Sequence, residues 1–496
     1  MDTILPFHTL SKSTFIRGLQ CRKSLYLNKF NPELRDAIPA SRQAIFDTGH
    51  EAGELAQELF PGGADCGFEI TKSGQKSAMM TRKYIEEGKE VIYEAAFQSD
   101  GVLVIADIMV KSGNKWKIYE VKSSTSVSDY QICDTAIQYH VITKCGIDIE
   151  DIFVVFINNQ YVRKGDIEIN QLFKTESVKD RVIENQSFIG QKEKELKEVL
   201  KSKTAPDIDI GPHCTNPYDC DFIGHCWKHI PEYSVFDLSR IGKKAFELYK
   251  QGVINIKDIP DDVKLSTNQI IEKTSFIDRI NIIDKGGLKD FLKTVKYPLY
   301  FLDFESIQSA VPIYDNSRPY QQVVFQYSLY YKEDKISKPG HYEFLGDGKA
   351  DPRPALIKQL LVDTKRPGMI LVYNQGFEIG RLKELASDFP EYSDEIAERI
   401  SRIADLMTPF QNRLYYKPEM RSSHSLKKVL PAINPKYGYD DLEIQGGGVA
   451  SSEFIRLMAL KDEKEISRIR KNLLEYCGRD TYGMIVILEE LERDSR

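Results

Sequence analysis

The distribution of cysteine is the feature that most constrains how this chain can fold. Cys214, Cys220 and Cys226 lie close together in the segment GPHCTNPYDCDFIGHCW, and a fourth candidate, Cys21, lies far upstream in FIRGLQCRKSLYL. If these four thiols meet, the chain between them must fold into one domain that closes on itself. A tight cysteine cluster in a chain with few other cysteines favours a metal or cluster site over a disulfide framework.

Length, composition and charge limit the classes of protein that the chain can represent. Its 496 residues suffice for roughly two to four domains, and a hydrophobic content of 41% with 29% charged residues is typical of a globular protein. The net charge of -6 does not exclude nucleic acid, because local basic grooves can bind it. The first residues lack a secretory signal and no apolar run is long enough to span a bilayer, so we expect a cytoplasmic protein without a membrane partner.

The order of apolar and polar segments predicts an α/β protein with two domains. Residues 1–230 alternate helical and strand patterns, and residues 296–496 begin with the buried-strand pattern YPLYFLDFES and end with a long helix. Residues 231–295 form a helical connector with a weak similarity to a helix-hairpin-helix. One glycine of the usual turn is present there, so a packed helical linker is the favoured alternative.

A first group of chemically active residues lies on two neighbouring strands. Asp107 lies near the end of VLVIADIMV, and Glu120 and Lys122 lie two positions apart in KWKIYEVKSS, on one face of the next strand. The carboxylates could bind Mg²⁺ or Mn²⁺, while Lys122 orients a water or neutralises developing charge. His50, on a predicted helix, could complete the metal shell, and Gln138 could lean over the site. The alternative is a solvated hairpin with a surface Glu–Lys pair.

These residues resemble the P-D…(D/E)-x-K nuclease superfamily over about 230 residues, above all the RecB-type branch and the iron–sulfur nucleases of CRISPR adaptation. The resemblance rests on Gly49-His50, Asp107, Glu120-Val121-Lys122 and Gln138. It implies a restriction-endonuclease-like fold and a 4Fe–4S cluster, for which thiolates are the expected ligands. The implied cluster ligands are Cys21, Cys214, Cys220 and Cys226.

The spacing of the implied ligands departs from that family. Two successive C-x5-C steps replace the usual C-x2-C step, and four thiolates also suit a structural Zn²⁺, which remains the alternative. We expect the other four cysteines to be ordinary buried thiols. They are Cys66, Cys133, Cys145 and Cys477.

A second group of acidic residues lies in the C-terminal third. Asp303 and Glu305 are two apart on a predicted strand, Glu378 lies at a helix start, and Asp480 lies in the final helix four residues after Tyr476. Four carboxylates drawn from these elements suit a two-metal site, in which Tyr476 positions the attacking water.

This set resembles the tyrosine-bearing DEDD 3′–5′ exonucleases, which have an RNase H-like fold. Glu378 stands in the second motif, with Asn374 and Phe377, where that family usually has Asp, and the extra methylene can matter for catalysis. Glu475 occupies the position of the base in the histidine-bearing subgroup, which favours the tyrosine type. Four further residues complete the comparison: Asp405 as a recurrent acid, and His424 with Lys427 and Lys428 as phosphate contacts or local support.

The whole chain resembles a bacterial family that fuses a cysteine-clasped RecB-like nuclease to an RNase H-like exonuclease. The resemblance implies a metal-dependent nuclease with two sites that cleaves or trims DNA, single-stranded or from ends, in repair or in defence against foreign DNA. Two alternatives remain open: an exonuclease that trims RNA 3′ ends, and a nucleic-acid-binding protein whose C-terminal acids are inert. No feature indicates a protein partner.

Overall fold

Helices and β-sheets alternate along the computed structural model, which describes residues 8–67 and 73–496 and confirms the expected α/β class. The chain divides into two compact units, each built from two stretches. The first unit comprises Met1–His229 and Ser309–Tyr320, and the second comprises Ile230–Gln308 and Gln321–Arg496. The expected connector, residues 231–295, thus groups with the second unit.

A seven-stranded mixed sheet forms the centre of the first unit. Its strands are β1 (Leu10–Ser11), β2 (Ala64–Asp65), β3 (Val91–Ser99), β4 (Val102–Ser112), β5 (Lys115–Lys122), β6 (Ile149–Ile157) and β7 (Phe173–Ser177). The strand order is β2-β3-β4-β5-β6-β7, with β1 paired in parallel to the start of β4. The β3–β4, β4–β5 and β6–β7 pairs are antiparallel, whereas β2–β3 and β5–β6 are parallel.

Helices cover this sheet. They are α1 (Lys12–Gln20), α2 (Arg22–Phe30), α3 (Ala40–Ala56), α4 (Gly74–Glu86), α5 (Asp129–Lys144), α6 (Ile169–Leu172), α7 (Lys179–Glu184), α8 (Gln186–Lys201) and α9 (Ile223–Cys226). Strand β4 and the second half of β6 are nearly continuous apolar runs, as expected where helices bury both faces of a sheet. Ile137 of α5 packs into one core with Ile118 of β5 and Val154 of β6, all fully buried. This packing fixes α5 over the middle of the sheet.

The second unit is built on a five-stranded sheet with the order β11-β10-β9-β12-β13. Its strands are β9 (Leu299–Gln308), β10 (Gln322–Lys332), β11 (Gly340–Leu345), β12 (Met369–Val372) and β13 (Ile403–Asp405). Strand β10 is antiparallel to both of its neighbours, while β9, β12 and β13 run parallel. A separate pair, β8 (Ile282–Ile283) and β14 (Tyr415–Tyr416), is antiparallel.

The helices of the second unit include the longest described in the chain. They are α10 (Lys243–Lys250), α11 (Thr267–Asp278), α12 (Lys285–Thr294), α13 (Arg353–Asp363), α14 (Gln375–Asp388), α15 (Ser393–Ser401), α16 (Thr408–Gln411), α17 (Leu426–Ile433), α18 (Gly447–Ala459) and α19 (Glu463–Asp494). None of the helices in the described ranges combines the length and the apolar content that crossing a membrane requires. Helix α19 packs its apolar face, with Leu473 and Met484, on β9 and β10.

Candidate active sites

The first candidate site lies where the pairing of β4 and β5 ends. The last paired residues are Ile108 and Tyr119, and beyond them the carboxylate of Asp107 takes over, its Oδ2 accepting a hydrogen bond from the Val121 amide at 2.6 Å. The side chain therefore replaces a backbone acceptor. This exchange aims Asp107 at the face of β5 that carries Glu120 and Lys122.

Two lysines converge on the Glu120 carboxylate, which is 1% exposed. Its Oε1 accepts from the ammonium groups of Lys122 and Lys12, at 2.5 Å and 2.7 Å. Lys122 also donates to Asp134 Oδ2 at 2.5 Å, and Gln138 donates from Nε2 to the second oxygen of Glu120 at 2.5 Å. The structure thus brings the four sequence-predicted residues Asp107, Glu120, Lys122 and Gln138 into one site.

The two predicted carboxylates of this site have opposite pKa shifts. Burial and the neighbouring charge of Glu120 raise the pKa of Asp107 to about 8. Burial also opposes ionisation of Glu120, but Lys12 and Lys122 together hold its pKa below the ordinary range. Lys12 and Lys122 therefore keep Glu120 ionised, while a further positive charge beside Asp107 would stabilise its ionised form.

Sequence reasoning missed three members of this site. Lys12 comes from the start of α1, and Asp134 lies four residues before Gln138 on the same face of α5, a spacing that the sequence does display. Glu94 lies in β3 at the break in its pairing, between the paired positions Tyr93 and Ala95, with a left-handed φ of 52°. Burial raises the pKa of Glu94 to about 7. The sequence feature that could have identified Glu94 is a charged residue inside the apolar run VIYEAAF.

His50 is placed differently from the other predicted residues of this site. It lies on α3 and is exposed. In residues 8–67 and 73–496, it belongs to no group of three metal-ligating side chains whose ligand atoms all lie within 4.8 Å of one another. The structure therefore assigns no ligand contact to His50.

The four predicted cluster cysteines line a single cavity in the first unit. Cys21 lies between α1 and α2. It lines the cavity together with Cys214, Cys220, Cys226 and apolar side chains such as Phe222. Burial raises the pKa of Cys21 and Cys226, and the neighbouring thiols of Cys214 and Cys220 act in the same direction on both. In the described ranges, no three of these sulfurs lie mutually within 4.8 Å.

Polar contacts join the two ends of this cysteine set. Asp221 accepts from Arg17 of α1 at 2.5 Å and from Arg42 of α3 at 2.8 Å. Gln20 donates to the carbonyl oxygens of His213 and Tyr218, at 2.8 Å and 2.6 Å. The C-terminal cysteine loop is thus held against the N-terminal helices independently of any bound group.

The second candidate site is centred on β9. The ligand atoms of Asp303, Glu305 and Cys477 all lie within 4.8 Å of one another. Alternation along the strand places both acids on one face, and α19 presents Cys477, whose thiol donates to Asp303 Oδ2 at 3.6 Å. Burial, and then the neighbouring acids, raise the pKa of Asp303 and Glu305 well above their ordinary values. Cys477 was expected to be an ordinary buried thiol, and its contact with Asp303 brings it into the acidic site.

Glu378 joins these acids from the first turn of α14. It is 2% exposed, and its Oε2 is buried with no hydrogen-bond partner among residues 8–67 and 73–496. Burial and then the charge of Asp303 raise its pKa to about 9. An uncompensated buried acceptor is costly, so this atom indicates a place where a cation would be stabilising.

Asp405 has a supporting role at the start of α14. Its Oδ1 accepts from the amides of Asn374 and Met407, at 3.0 Å and 2.9 Å, and its Oδ2 accepts from Gln375 at 3.1 Å. These bonds hold Asn374 in its left-handed conformation and so set the direction from which Glu378 enters the site. Both oxygens of the Asp405 carboxylate therefore accept hydrogen bonds from backbone amides.

Helix α19 supplies the remaining predicted residues. Burial raises the pKa of Asp480 to about 6, although a hydrogen bond from the Tyr439 hydroxyl and the charge of Lys427 work in the other direction. Tyr476 is 3% exposed, and burial and then Asp480 raise its pKa. The Lys427 ammonium lies 5.1 Å from the centre of the Tyr476 ring. Tyr439 was not predicted from the sequence and had no spacing signal.

The remaining residues named in the sequence lie at the edge of this site. Lys427 donates to the Gln445 carbonyl at 2.9 Å, and burial lowers the pKa of His424. Gly447 begins α18, and a Cβ there would lie 3.6 Å from Glu305 Oε2. The backbone at the start of α18 therefore lies close to Glu305.

A family model described as a domain of unknown function, DUF2779, matches residues 300–425, a stretch that includes Asp303, Glu305 and Glu378. The chain is also similar to three proteins described as uncharacterized. UU173 of Ureaplasma parvum is 26% identical over 297 residues, which are 52% of this chain and 41% of that protein.

The other two relatives come from mycoplasmas. The MG366 homolog of Mycoplasma pneumoniae is 28% identical over 41% of this chain and 34% of that protein. MG366 of Mycoplasma genitalium is 29% identical over 40% of this chain and 32% of that protein. The chain thus spans less than half the length of the curated relatives it matches.

Proposed function

We propose that this chain is a metal-dependent nuclease with two sites that acts on DNA with single-stranded segments or free ends. The observation that carries the proposal is the convergence of four carboxylates in the second unit, of which Glu305, Glu378 and Asp480 are buried and Asp303 is partly buried. They come from a strand, a helix start and a long helix, and all four have raised pKa values. One oxygen of Glu378 also has no hydrogen-bond partner among the described residues. Such a set is unfavourable until cations occupy it, which suits a two-metal site.

The topology of the second unit supports the same proposal. Its central strand β9 carries the first two acids, and β10 is the strand that runs opposite to the other four. A C-terminal helix brings Asp480 to β9. An RNase H-like domain of the DEDD type is expected to have this arrangement. Asp303, Glu305, Glu378 and Asp480 would hold two Mg²⁺ or Mn²⁺ ions.

The residues around these acids have separate tasks in the proposed reaction. When bound, the divalent ions supply Lewis-acid charge and a more acidic water. Tyr476 orients that water by its phenol, while Tyr439 fixes one oxygen of Asp480. Lys427 adds a positive charge beside the ring of Tyr476, where it can contact a phosphate.

The first site is proposed as a second hydrolytic centre. Asp107 and Glu120 present oxygen donors of the kind that Mg²⁺ and Mn²⁺ prefer, and the raised pKa of Asp107 indicates that burial and the charge of Glu120 outweigh the charges of Lys12 and Lys122. Lys122, held by Glu120 and Asp134, can stabilise the charge that develops on phosphate. Gln138 keeps the second oxygen of Glu120 in place.

The cysteine cavity is proposed to hold a 4Fe–4S cluster in preference to zinc. One tetrahedral Zn²⁺ holds its thiolates about 3.8 Å apart, because each Zn–S bond is about 2.3 Å long. No three of the four sulfurs in the described residues meet within 4.8 Å, so the cavity is not closed around a single tetrahedral ion, and the resemblance to iron–sulfur nucleases favours the larger cluster. Unpaired thiols of this kind persist in a reducing compartment, which supports a cytoplasmic location.

The test is a time course of cleavage with Mn²⁺ on single-stranded DNA labelled at its 5′ end in one reaction and its 3′ end in another. Wild type is compared with Lys122→Ala and Asp303→Ala. We expect each substitution to remove a different set of products. If wild type leaves DNA intact but degrades the matching RNA, the DNA assignment fails, and if it cleaves neither, the nuclease proposal fails.

A further inference from the structure

A large groove lies in the second unit on the face of α19 opposite to the carboxylates. Its volume is about 950 Å³, and α19 lines it with Gly478 and Tyr482 while β10 and β11 contribute Tyr330 and His341. Tyr437, from the loop before Tyr439, forms a further wall. The same helix and the same loop therefore contribute to the acidic site on one side and to this groove on the other.

Four aromatic rings form a continuous row in the groove. The Tyr330 and His341 rings stack with their centres 4.2 Å apart and their planes at 16°. Tyr482 contacts Tyr330 at 5.5 Å and Tyr437 at 5.6 Å. Tyr330, Tyr437 and Tyr482 are half-buried and His341 is exposed, so the row keeps ring surface open to solvent. Rings of this kind provide stacking platforms for bases.

Two of the cations that line the groove form no ion pair within 4.0 Å with an acid of the described residues, although the charge of Arg470 acts on Asp347 and the acid Glu343 also lines the groove. In the part of the chain that the structure describes, Lys436 is exposed and has no acid within 4.0 Å, and the Arg470 guanidinium donates to the carbonyl oxygens of Gly346 and Leu345. The other two cations are paired, Arg479 with Asp441 at 2.9 Å and Lys471 with Glu475 at 3.5 Å.

We propose that this groove binds single-stranded nucleic acid, with bases against the tyrosine row and phosphates near Lys436 and Arg470. The combination of open rings and cations outside ion pairs matches the two parts of such a strand. An apolar peptide is a poorer occupant, because Leu442 and Leu474 are the aliphatic side chains among the lining residues. The inference rests on the proposed nuclease function and assigns the groove to the part of the substrate that is not being cut.

Binding is tested apart from cleavage in an Asp303→Asn background without metal. The measurement is the fluorescence anisotropy of labelled dT20 and, separately, of the matching rU20, at one fixed salt concentration. Tyr437→Ala combined with Tyr482→Ala should raise the Kd about ten-fold or more, as loss of base stacking does. Lys436→Glu should raise it further and weaken its dependence on salt.

Matched controls separate the groove from general effects. Tyr342 is exposed on the opposite face of β11 from His341, so Tyr342→Ala should leave the Kd unchanged, as should Lys338→Glu at an exposed lysine that is not among the lining residues of the groove. Tyr437→Phe keeps the ring and should keep the binding. Circular dichroism of each variant excludes unfolding as the cause.

The outcomes distinguish this inference from the nuclease proposal. If wild type cleaves DNA but the tyrosine variants bind dT20 and rU20 as tightly as the parent, the groove assignment is overturned and the nuclease proposal stands. If the tyrosine variants lose binding while wild type cleaves no nucleic acid, the groove assignment stands and the nuclease proposal fails. Preference for rU20 over dT20 identifies RNA as the strand.

Discussion

At the scale of single residues, the Oε2 atom of Glu378, buried without a hydrogen-bond partner among the described residues, is the strongest support for the proposed metal site. A carboxyl whose pKa rises from 4.5 to about 9 binds a proton in the folded chain at pH values where the unfolded chain has lost it. Its contribution to stability is therefore complete below about pH 4.5 and is lost as the pH rises towards 9. Neutralising this acid should remove that dependence.

We therefore expect Glu378→Gln to flatten the fall in thermal unfolding midpoint between pH 5 and pH 8 in EDTA. Adding Mn²⁺ at pH 8 should raise the midpoint of wild type by a few degrees and that of the variant by less, since ligands of the folded state stabilise it. Exposed Glu419 provides the control, as Glu419→Gln should follow wild type. Equal slopes for wild type and Glu378→Gln would contradict this account.

Asp303 is the acid on which the second site most depends. Its ligand atom lies within 4.8 Å of those of Glu305 and Cys477, and its charge raises the pKa of Glu378. Asp303→Asn preserves its shape but removes a charge, and we expect the products of the second site to form at least about 100-fold more slowly. Single-turnover cleavage of end-labelled DNA measures this. Asp290→Asn, an exposed change in the same unit, should have no effect.

At the scale of elements, periodicity predicted the parts of each site that lie on one strand or helix. The two-residue spacing of Asp303 and Glu305 on β9 follows from strand alternation alone. Lys12 could not be found in this way, because it reaches Glu120 across 108 positions through the folding of α1 against the sheet. Tyr439 reaches Asp480 from a loop whose path no local pattern specifies.

The segment expected to be a connector is tied into the second unit by a buried ion pair. Glu272 of α11 is fully buried, and its Oε1 accepts two bonds from Arg413, at 2.9 Å and 2.6 Å, while Oε2 accepts from the Ser239 amide at 2.9 Å. A helical connector was predicted over residues 231–295 without placing α11, and no local pattern indicates this long-range partner. The pair explains why residues 231–295 group with the sheet that follows them.

Removing one partner of this pair should strongly destabilise the second unit. Glu272→Ala leaves the Arg413 guanidinium buried without its acid, which typically costs about 3–5 kcal/mol. We expect the midpoint of thermal unfolding to fall by roughly 10 °C. Glu419→Ala, an exposed change, is the control, and an unchanged midpoint for Glu272→Ala would show that Arg413 finds another partner.

At the scale of the whole molecule, the cysteine pattern described the closure of the first unit better than any periodicity. Cys21 and the segment around Cys214 do line one cavity, and Arg17, Gln20 and Asp221 reinforce that closure. The sequence could not show that residues 309–320, which interrupt the second unit, group with the first. That excursion depends on backbone contacts such as Arg163 with the Pro312 carbonyl, which leave no compositional trace.

The two units draw their site residues from separate stretches, so loss of the cysteine clasp should affect them unequally. Cys220→Ser should reduce bound iron, acid-labile sulfide and the absorbance near about 400 nm, because a cluster loses one of its thiolates. We expect the products that depend on Lys122 to disappear, since the N-terminal helices lose part of their attachment, while those that depend on Asp303 persist.

Cys145→Ser, at an exposed thiol outside the cavity, is the matched control. Equal loss of both product sets would instead show that the second site requires the clasp, and full retention of iron would remove Cys220 from the ligand set.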